Sequence, residues 1–251
     1  PTKEESMTQA INLQPIAKLV NVGMAIEALN QVSNVIDLGA PHMAVLFGPP
    51  GYGKTQAALH LANPGGKHAV FISVRMFETT KTLAQLLCEE LGVPAKAKWP
   101  VSAMYEAIVS RLQQLGRPLV IDEVDYIAEK STMDFIRTIH DNTTVPILLI
   151  GEQGLKGKLL HHHERFHDRV LVWREAIACD ATDAASMTKT HARDLKWSPE
   201  VVAKLVQKTD GVARRIYNEI KALREECSKH GTDTPTLAML SSHSTTRGGK
   251  R

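Results

Sequence analysis

The segment Gly48-Pro49-Pro50-Gly51-Tyr52-Gly53-Lys54-Thr55 has the residue types and the spacing of a loop that binds phosphate groups. It matches the pattern G-x-x-x-x-G-K-[ST], in which glycines let backbone N–H groups turn toward phosphate oxygens. In this pattern Lys54 would pair with the β- and γ-phosphates of a nucleotide, and the Thr55 hydroxyl would bind Mg²⁺. An apolar stretch precedes the loop and a helical stretch follows it, so a helix dipole would add to the attraction. All eight residues are therefore candidate ligands for ATP and Mg²⁺.

Two carboxylates, Asp122 and Glu123, follow the apolar stretch from Pro118 to Ile121. Asp122 would hold Mg²⁺ through water, and Glu123 would polarise the water that attacks the terminal phosphate. Asp125 is the substitute base if Glu123 is not the one used. Because a carboxylate base beside a metal serves cleavage more than binding, the two motifs together indicate hydrolysis of a nucleoside triphosphate.

The elements that must position these residues alternate between short apolar strands and longer helical stretches. Continuous apolar strands separated by helices predict an α/β fold with a parallel five-stranded sheet covered by helices on both faces. After the last of these strands the sequence shows only helical periodicity, which predicts a small all-helical lid domain. The domain prediction is a mobile arm at 1–14, an ATPase domain at 15–176, a lid at 177–230 and a flexible basic tail at 231–251. The predicted strands are Met43–Phe47, Ala69–Val74, Leu119–Ile121, Val145–Ile150 and Val170–Trp173, and the helices begin near Pro15, Lys54, Thr80, Val101, Ser131 and Gly154.

Composition excludes several classes of protein. Hydrophobic residues make up 43% and charged residues 23% of the 251 positions, which argues against disorder as the dominant state. No apolar run reaches the roughly 18–20 residues that a membrane helix needs, and the chain opens without a secretory leader, so we expect a protein of the bacterial host cytoplasm. The net charge is +3, and the tail supplies three cations, Arg247, Lys250 and Arg251. Affinity for nucleic acid would therefore come from local patches.

On these motifs the sequence resembles the AAA+ ATPases, from about residue 15 to residue 230. The resemblance implies that the strand Val145–Ile150 lies between the two motif strands and ends in a residue that senses the γ-phosphate. Glu152 is the first candidate for this sensor and Gln153 the second, where the family more often has Asn, Thr or Ser. An arginine just before the fifth strand would reach a neighbour's ATP site; Arg169 is the better placed candidate and Arg165 the alternative. In Gly211-Val212-Ala213-Arg214, Arg214 would contact the γ-phosphate from the lid, while the following Arg215 would face solvent.

Within this family, the stretch from Val145 to Leu160 resembles the transposition regulators of the Mu B, TnsC and TniB type. The Mu B type has an N-terminal helix-turn-helix domain, and we expect this sequence to lack it, since 47 residues precede the phosphate loop. The resemblance implies an ATPase that binds duplex DNA of any sequence when it holds ATP and forms helical filaments on that DNA. It would select the target sites of transposition and recruit and stimulate a transposase. Two alternatives remain open: a helicase-loader or initiator ATPase of replication, and an ExeA-like assembly ATPase without a DNA role.

The same resemblance implies that DNA is held by the segment after the second strand. Arg75 and Lys81 are the cations there, and the hydroxyls of Thr79 and Thr80 could bond to phosphate at the start of a helix. Lys96 and Lys98 follow later and are further candidates. One or two cations per subunit are weak, but a filament repeats them along the DNA backbone.

Overall fold

The computed structural model describes residues 19–96, 98–162, 166 and 168–242. A parallel sheet of five strands forms the centre of the fold, with its strands in the order β2-β3-β4-β1-β5. The predicted α/β class is therefore confirmed, and β4 lies between the two motif strands, as the resemblance implied. The strands are β1 (Met43–Gly48), β2 (Val70–Ser73), β3 (Leu119–Asp122), β4 (Ile147–Glu152) and β5 (Val170–Glu175).

The sheet forms because its central strands are apolar on both faces. All residues of β1 and β3, and all of β4 except Glu152, are buried. Such continuous burial is typical of a parallel sheet with helices on both sides. The fourth strand begins at Ile147 rather than at the predicted Val145, because Pro146 has no N–H to donate to a neighbouring strand.

Among the described residues, six helices surround this sheet in the first compact unit, Val20–Ala178. The buried face of the first helix contains Asn21, Ala25 and Val32, whereas Ile26 is only partly buried. The predicted start near Pro15 lies outside the described residues. The helices are α1 (Val20–Ser33), α2 (Lys54–Ala62), α3 (Thr80–Glu90), α4 (Val101–Leu115), α5 (Thr132–Asp141) and α6 (Leu155–His162), with short 3₁₀ turns at Ile36–Leu38 and Val124–Tyr126.

A second compact unit contains the helices that follow Cys179. They are α7 (Ala181–His191), α8 (Pro199–Thr209), α9 (Ala213–Lys229) and α10 (Leu237–Ser242). The last helix lies in the segment that the sequence analysis assigned to a flexible tail. It is held there because Lys208 Nζ donates both to Leu240 O at 2.7 Å and to the buried Glu219 carboxylate at 3.0 Å. The N-terminal arm and the cations from Arg247 to Arg251 lie outside the described residues.

None of the described helices combines the length and the hydropathy that a bilayer-spanning segment requires.

A candidate site for nucleotide binding and hydrolysis

The register of the parallel strands brings the two sequence motifs to one edge of the sheet. Gly48 at the end of β1 pairs with Glu152 at the end of β4, and Ser73 at the end of β2 pairs with Asp122 at the end of β3. The phosphate-binding loop therefore begins beside the carboxylates, although the two segments are far apart in the chain. Ligands of open α/β folds bind at such carboxyl ends of strands.

The loop from Gly48 to Thr55 curves around its own lysine. Gly51 and Gly53 have φ values of 84° and 83°, a left-handed conformation that glycine accepts without strain. Gly53 thereby turns the chain into α2, whose first residue is Lys54. The Lys54 ammonium donates to Gly48 O and to Pro49 O, both at 2.8 Å. Its burial lowers the pKa of Lys54, and the carboxylates of Asp122, Glu152, Glu123 and Asp125 oppose this shift.

The arrangement around Asp122 suits a hard divalent cation. One carboxylate oxygen, Oδ1, accepts the Glu123 N–H at 2.9 Å, whereas Oδ2 is buried and has no hydrogen-bond partner among the described residues. Burial raises the pKa of Asp122, while the nearby Thr55 hydroxyl, the Glu123 N–H and Lys54 oppose the shift. An unpartnered buried carboxylate oxygen beside a hydroxyl matches the oxygen ligands of Mg²⁺. The described residues contain no cluster of three or more His, Cys, Asp or Glu side chains suited to a metal.

Glu123 lies in a strained position next to this aspartate. Its φ is 59°, in the left-handed region that residues with a Cβ rarely adopt. Burial and the neighbouring carboxylates of Asp122, Glu152 and Asp125 raise the pKa of Glu123, and Lys54 opposes the shift. Strain of this kind persists where the surrounding structure holds it, often at functional sites. A partly buried carboxylate with a raised pKa is suited to accept the proton of an attacking water.

Asp125, the substitute base of the sequence analysis, connects two elements of the sheet edge. Its Oδ2 accepts the N–H of Glu152 at 2.6 Å, so it fastens the turn after β3 to the end of β4. This approach is possible because Gly151 has no side chain: a Cβ there would collide with Asp125 Oδ2 and with the Leu155 side chain. The Glu152 side chain is exposed and lies near enough to Lys54 and Glu123 to influence both pKa values.

Gln153, the second candidate for the sensor, is turned away toward the end of β5. Its side-chain amide donates to Glu175 Oε1 at 2.7 Å. Of the two candidates, the structure brings Glu152 into the carboxylate cluster.

The sequence analysis missed Asn21, a fully buried polar residue on α1. Its side-chain amide donates to Tyr52 O and to Ile177 O, both at 2.8 Å, and its carbonyl accepts the Ile177 N–H at 3.0 Å. One side chain thus joins the phosphate-binding loop to the segment that follows β5. Its spacing from Ala25, Ala28 and Val32 places it on one helical face with them, which was the available signal.

Arg169 lies at the opposite edge of the sheet, just before β5. Its guanidinium makes two bonds to Asp141, with Nε–Oδ1 at 2.6 Å and the second nitrogen to Oδ2 at 2.8 Å. The six residues of β1 separate the two edges by roughly 17–20 Å. Arg169 therefore has no part in the phosphate site of its own subunit. Arg165, the alternative finger, lies outside the described residues.

The remaining sequence candidates are exposed, except for Thr80, which is partly buried. Arg214 is the second residue of α9 in the helical unit, and the next residue, Arg215, pairs with Asp210 at 3.1 Å. Thr79 caps α3, where its side chain accepts the Thr82 N–H at 3.2 Å, and Thr80 is the first residue of that helix. The DNA candidates Arg75, Lys81, Lys96 and Lys98 all have exposed side chains, the last two in the connection between α3 and α4.

Comparison with known proteins agrees with this architecture. Residues 38–159 match the family model described as AAA domain. No curated protein sequence matches the chain significantly.

Solved structures resemble the chain at low sequence identity. The ORC2 protein of Aeropyrum pernix, in ADPNP and ADP complexes, has a TM-score of 0.73 and 15% identity, with 92% of this chain and 69% of that chain covered. The ORC1 protein of the same organism, in complex with DNA, has a TM-score of 0.63 and 21% identity, with 93% and 66% covered. The RuvB Holliday junction branch migration motor of Thermotoga maritima has a TM-score of 0.56 and 17% identity, with 92% and 71% covered. The resemblance to transposition regulators remains a prediction. The chain has the AAA+ P-loop NTPase fold, and the segment that matches the AAA domain model, residues 38–159, contains both sequence motifs.

Proposed function

We propose that the chain is an ATPase that binds duplex DNA without regard to sequence, assembles with further copies of itself, and uses ATP hydrolysis to control that assembly. The observation that carries the enzymatic part is the convergence of Lys54, Asp122 and Glu123 at one edge of the sheet. In this proposal the eight residues of the loop hold the phosphates, and Thr55 and Asp122 hold Mg²⁺. When bound, the metal would offset charge on the phosphate oxygens.

Glu123 is the proposed general base. Its raised pKa and its position one residue after Asp122 suit a group that takes a proton from water beside the terminal phosphate. Asp125 is the weaker candidate because its carboxylate already accepts the Glu152 N–H. Glu152 would report the state of the γ-phosphate through its neighbours Lys54 and Glu123, and Arg214 would do so from the helical unit.

Arg169 is proposed to act on the ATP of a neighbouring copy. Within its own subunit it lies at the edge of the sheet opposite to the phosphate loop, so any contact with nucleotide requires a second copy. Such a contact would make hydrolysis depend on assembly. Asp141 would have to release the guanidinium, or share it, when the neighbour binds.

The DNA-related part of the proposal follows the replication-initiator alternative. The similar solved structures include the ORC1 protein in complex with DNA and the RuvB Holliday junction branch migration motor, and they support this alternative better than a role in transposition. The proposed DNA contacts are Arg75, Thr79, Thr80 and Lys81, with Lys96 and Lys98 as additional cations. A role as transposition regulator with a transposase as partner is the second candidate, which the sequence from Val145 to Leu160 favours.

A gel-shift experiment on random-sequence duplex DNA tests the proposal. We expect a shift with ATP, a weaker shift with ADP, and none for Lys54→Ala, which should lose nucleotide affinity in a fluorescent-ATP titration. No shift with any nucleotide, together with normal ATP hydrolysis, would instead favour an assembly ATPase without a DNA role. Stimulation of strand transfer by a transposase, or of helicase loading, then separates the two DNA-related candidates.

A further inference from the structure

The turn that follows β2, here called the β2–α3 turn (residues 75–79), exposes two large apolar side chains. Phe77 is 86% exposed, the highest fraction among the large hydrophobic side chains of the described residues, and Met76 is 57% exposed. Exposing a phenylalanine to water costs free energy, because apolar surface is more stable when it is removed from water. An apolar side chain so fully exposed at the tip of a turn is a candidate for a binding contact.

The turn holds these side chains in place through its backbone. Glu78 N donates to Arg75 O at 3.0 Å, and the buried Glu78 carboxylate accepts the Arg75 N–H at 3.3 Å. Lys130, from the segment before α5, donates to Met76 O at 3.0 Å. Thr79 and Thr82 then close a capping box at the start of α3. A turn fixed by these bonds loses little conformational freedom on binding, which favours affinity.

The charges around the tip indicate what it would contact. Arg75, Lys81 and Lys130 are exposed cations on or beside the turn, whereas its one carboxylate, Glu78, is buried against the backbone. The turn also lies close to the candidate nucleotide site. It follows Ser73, which pairs with Asp122, and the intervening Val74 N–H donates to Asp122 O at 2.9 Å. An exposed aromatic side chain on a turn that also carries cations suits DNA, whose stacked bases offer apolar faces between two rows of phosphates.

We propose that Phe77, supported by Met76, is an apolar wedge that enters between base pairs of duplex DNA while Arg75, Lys81 and Lys130 contact the flanking phosphates. This inference rests on the proposed DNA binding and adds a contact that is not electrostatic. Contacts with phosphates make affinity depend on salt, because they release counterions. A wedge stabilises the complex through apolar contact with the bases and unstacks the step that it enters.

The test compares Phe77→Ala and Phe77→Trp with Leu38→Ala in the full chain. Leu38 is a matched control because it is 78% exposed and lies in the 3₁₀ turn before β1, at the opposite edge of the sheet. Affinity for a labelled random-sequence duplex is measured by fluorescence anisotropy with ATP at several salt concentrations. We expect Phe77→Ala to weaken binding about 10-fold or more with an unchanged salt slope, since base contacts of aromatic side chains have effects of this size. Phe77→Trp and Leu38→Ala should bind like the natural chain.

A duplex containing 2-aminopurine reports unstacking directly. Its fluorescence should rise on binding of the natural chain and of Phe77→Trp, and rise less with Phe77→Ala. If the natural chain binds DNA and Phe77→Ala behaves like Leu38→Ala in both assays, the wedge is wrong while the proposed function stands. If Phe77→Ala instead prevents ATP-dependent self-association without DNA and leaves DNA affinity per subunit unchanged, the tip contacts a second copy and the wedge is again wrong. If the natural chain binds no DNA, the proposed function itself fails, and the wedge with it.

Discussion

Replacing Gly151 by alanine tests whether the close approach of Asp125 to β4 holds the candidate site together. Gly151 is buried, and a Cβ at this position would meet Asp125 Oδ2 and Leu155 Cδ2 well inside van der Waals contact. Gly151 is not among the residues with positive φ, so its backbone conformation suits alanine and the cost of the change is steric. We therefore expect the methyl group to displace Asp125 from the Glu152 N–H.

The magnitude follows from two contributions. A hydrogen bond to a charged acceptor contributes about 1.5–3 kcal/mol, and overpacking of a filled site costs about 1–3 kcal/mol. Because the two partly overlap, we expect a loss of about 2–4 kcal/mol in the free energy of unfolding of this unit. For a chain of this size each kcal/mol lowers the melting temperature by about 2–4 °C, so the expected decrease is about 4–16 °C. Circular dichroism during heating measures it.

Two further variants make the test specific. Gly157→Ala is the matched control: it lies inside α6, a Cβ added there would have no other atom within 4 Å, and alanine should stabilise the helix by about 0.5–1 kcal/mol. Adding Asp125→Ala to Gly151→Ala should cost less than the sum of the single changes, because the first change removes one of the two colliding groups. Equal melting temperatures for Gly151→Ala and the natural chain would refute the argument, as would strict additivity in the double variant.

Three other predictions concern hydrolysis, assembly and pH. Glu123→Gln should keep ATP affinity and slow hydrolysis about 100-fold or more, measured as phosphate release; normal turnover would exclude Glu123 as the base. Arg169→Ala should keep nucleotide binding in the monomer and lose DNA-stimulated hydrolysis. Mixing this variant with Lys54→Ala should restore part of the activity. Full activity of Arg169→Ala alone would instead indicate Arg165 as the residue that reaches the neighbour's site. Burial lowers the pKa of both His42 and His140 below the ordinary 6.5. The two rings stack with their centroids 3.9 Å apart, and His140 lowers the pKa of His42 further. Asp141 and Arg169 lie beside this pair. The unfolded chain then binds more protons than the folded one, so the free energy of unfolding should fall from about pH 7.5 to pH 5.5, and His42→Phe should reduce that dependence in urea titrations.

Much of the fold could be predicted from the sequence because its signals are local. The glycines and the lysine of the phosphate loop lie within eight consecutive residues, and the five strands are short apolar runs bounded by polar or turn-forming residues. The predicted strand positions agree with the structure to within about two residues, the usual uncertainty of element ends. The helix α10 was missed because its six residues carry too little periodicity to distinguish them from a tail.

The sequence by itself determined which residues could bind phosphate and metal, since each motif is contiguous and its chemistry depends on residue type. Only the tertiary structure decided which groups those residues meet. Asp125 contacts Glu152 across 27 positions, Lys130 contacts Met76 across 54, and Asn21 contacts Ile177 across 156. The first two pairs form because parallel strands bring their carboxyl ends to one edge of the sheet, whatever their separation along the chain. The third forms because α1, which carries Asn21, packs against β5. The same geometry sends Arg169, at the start of a strand, to the opposite edge, where its own phosphate loop is out of reach.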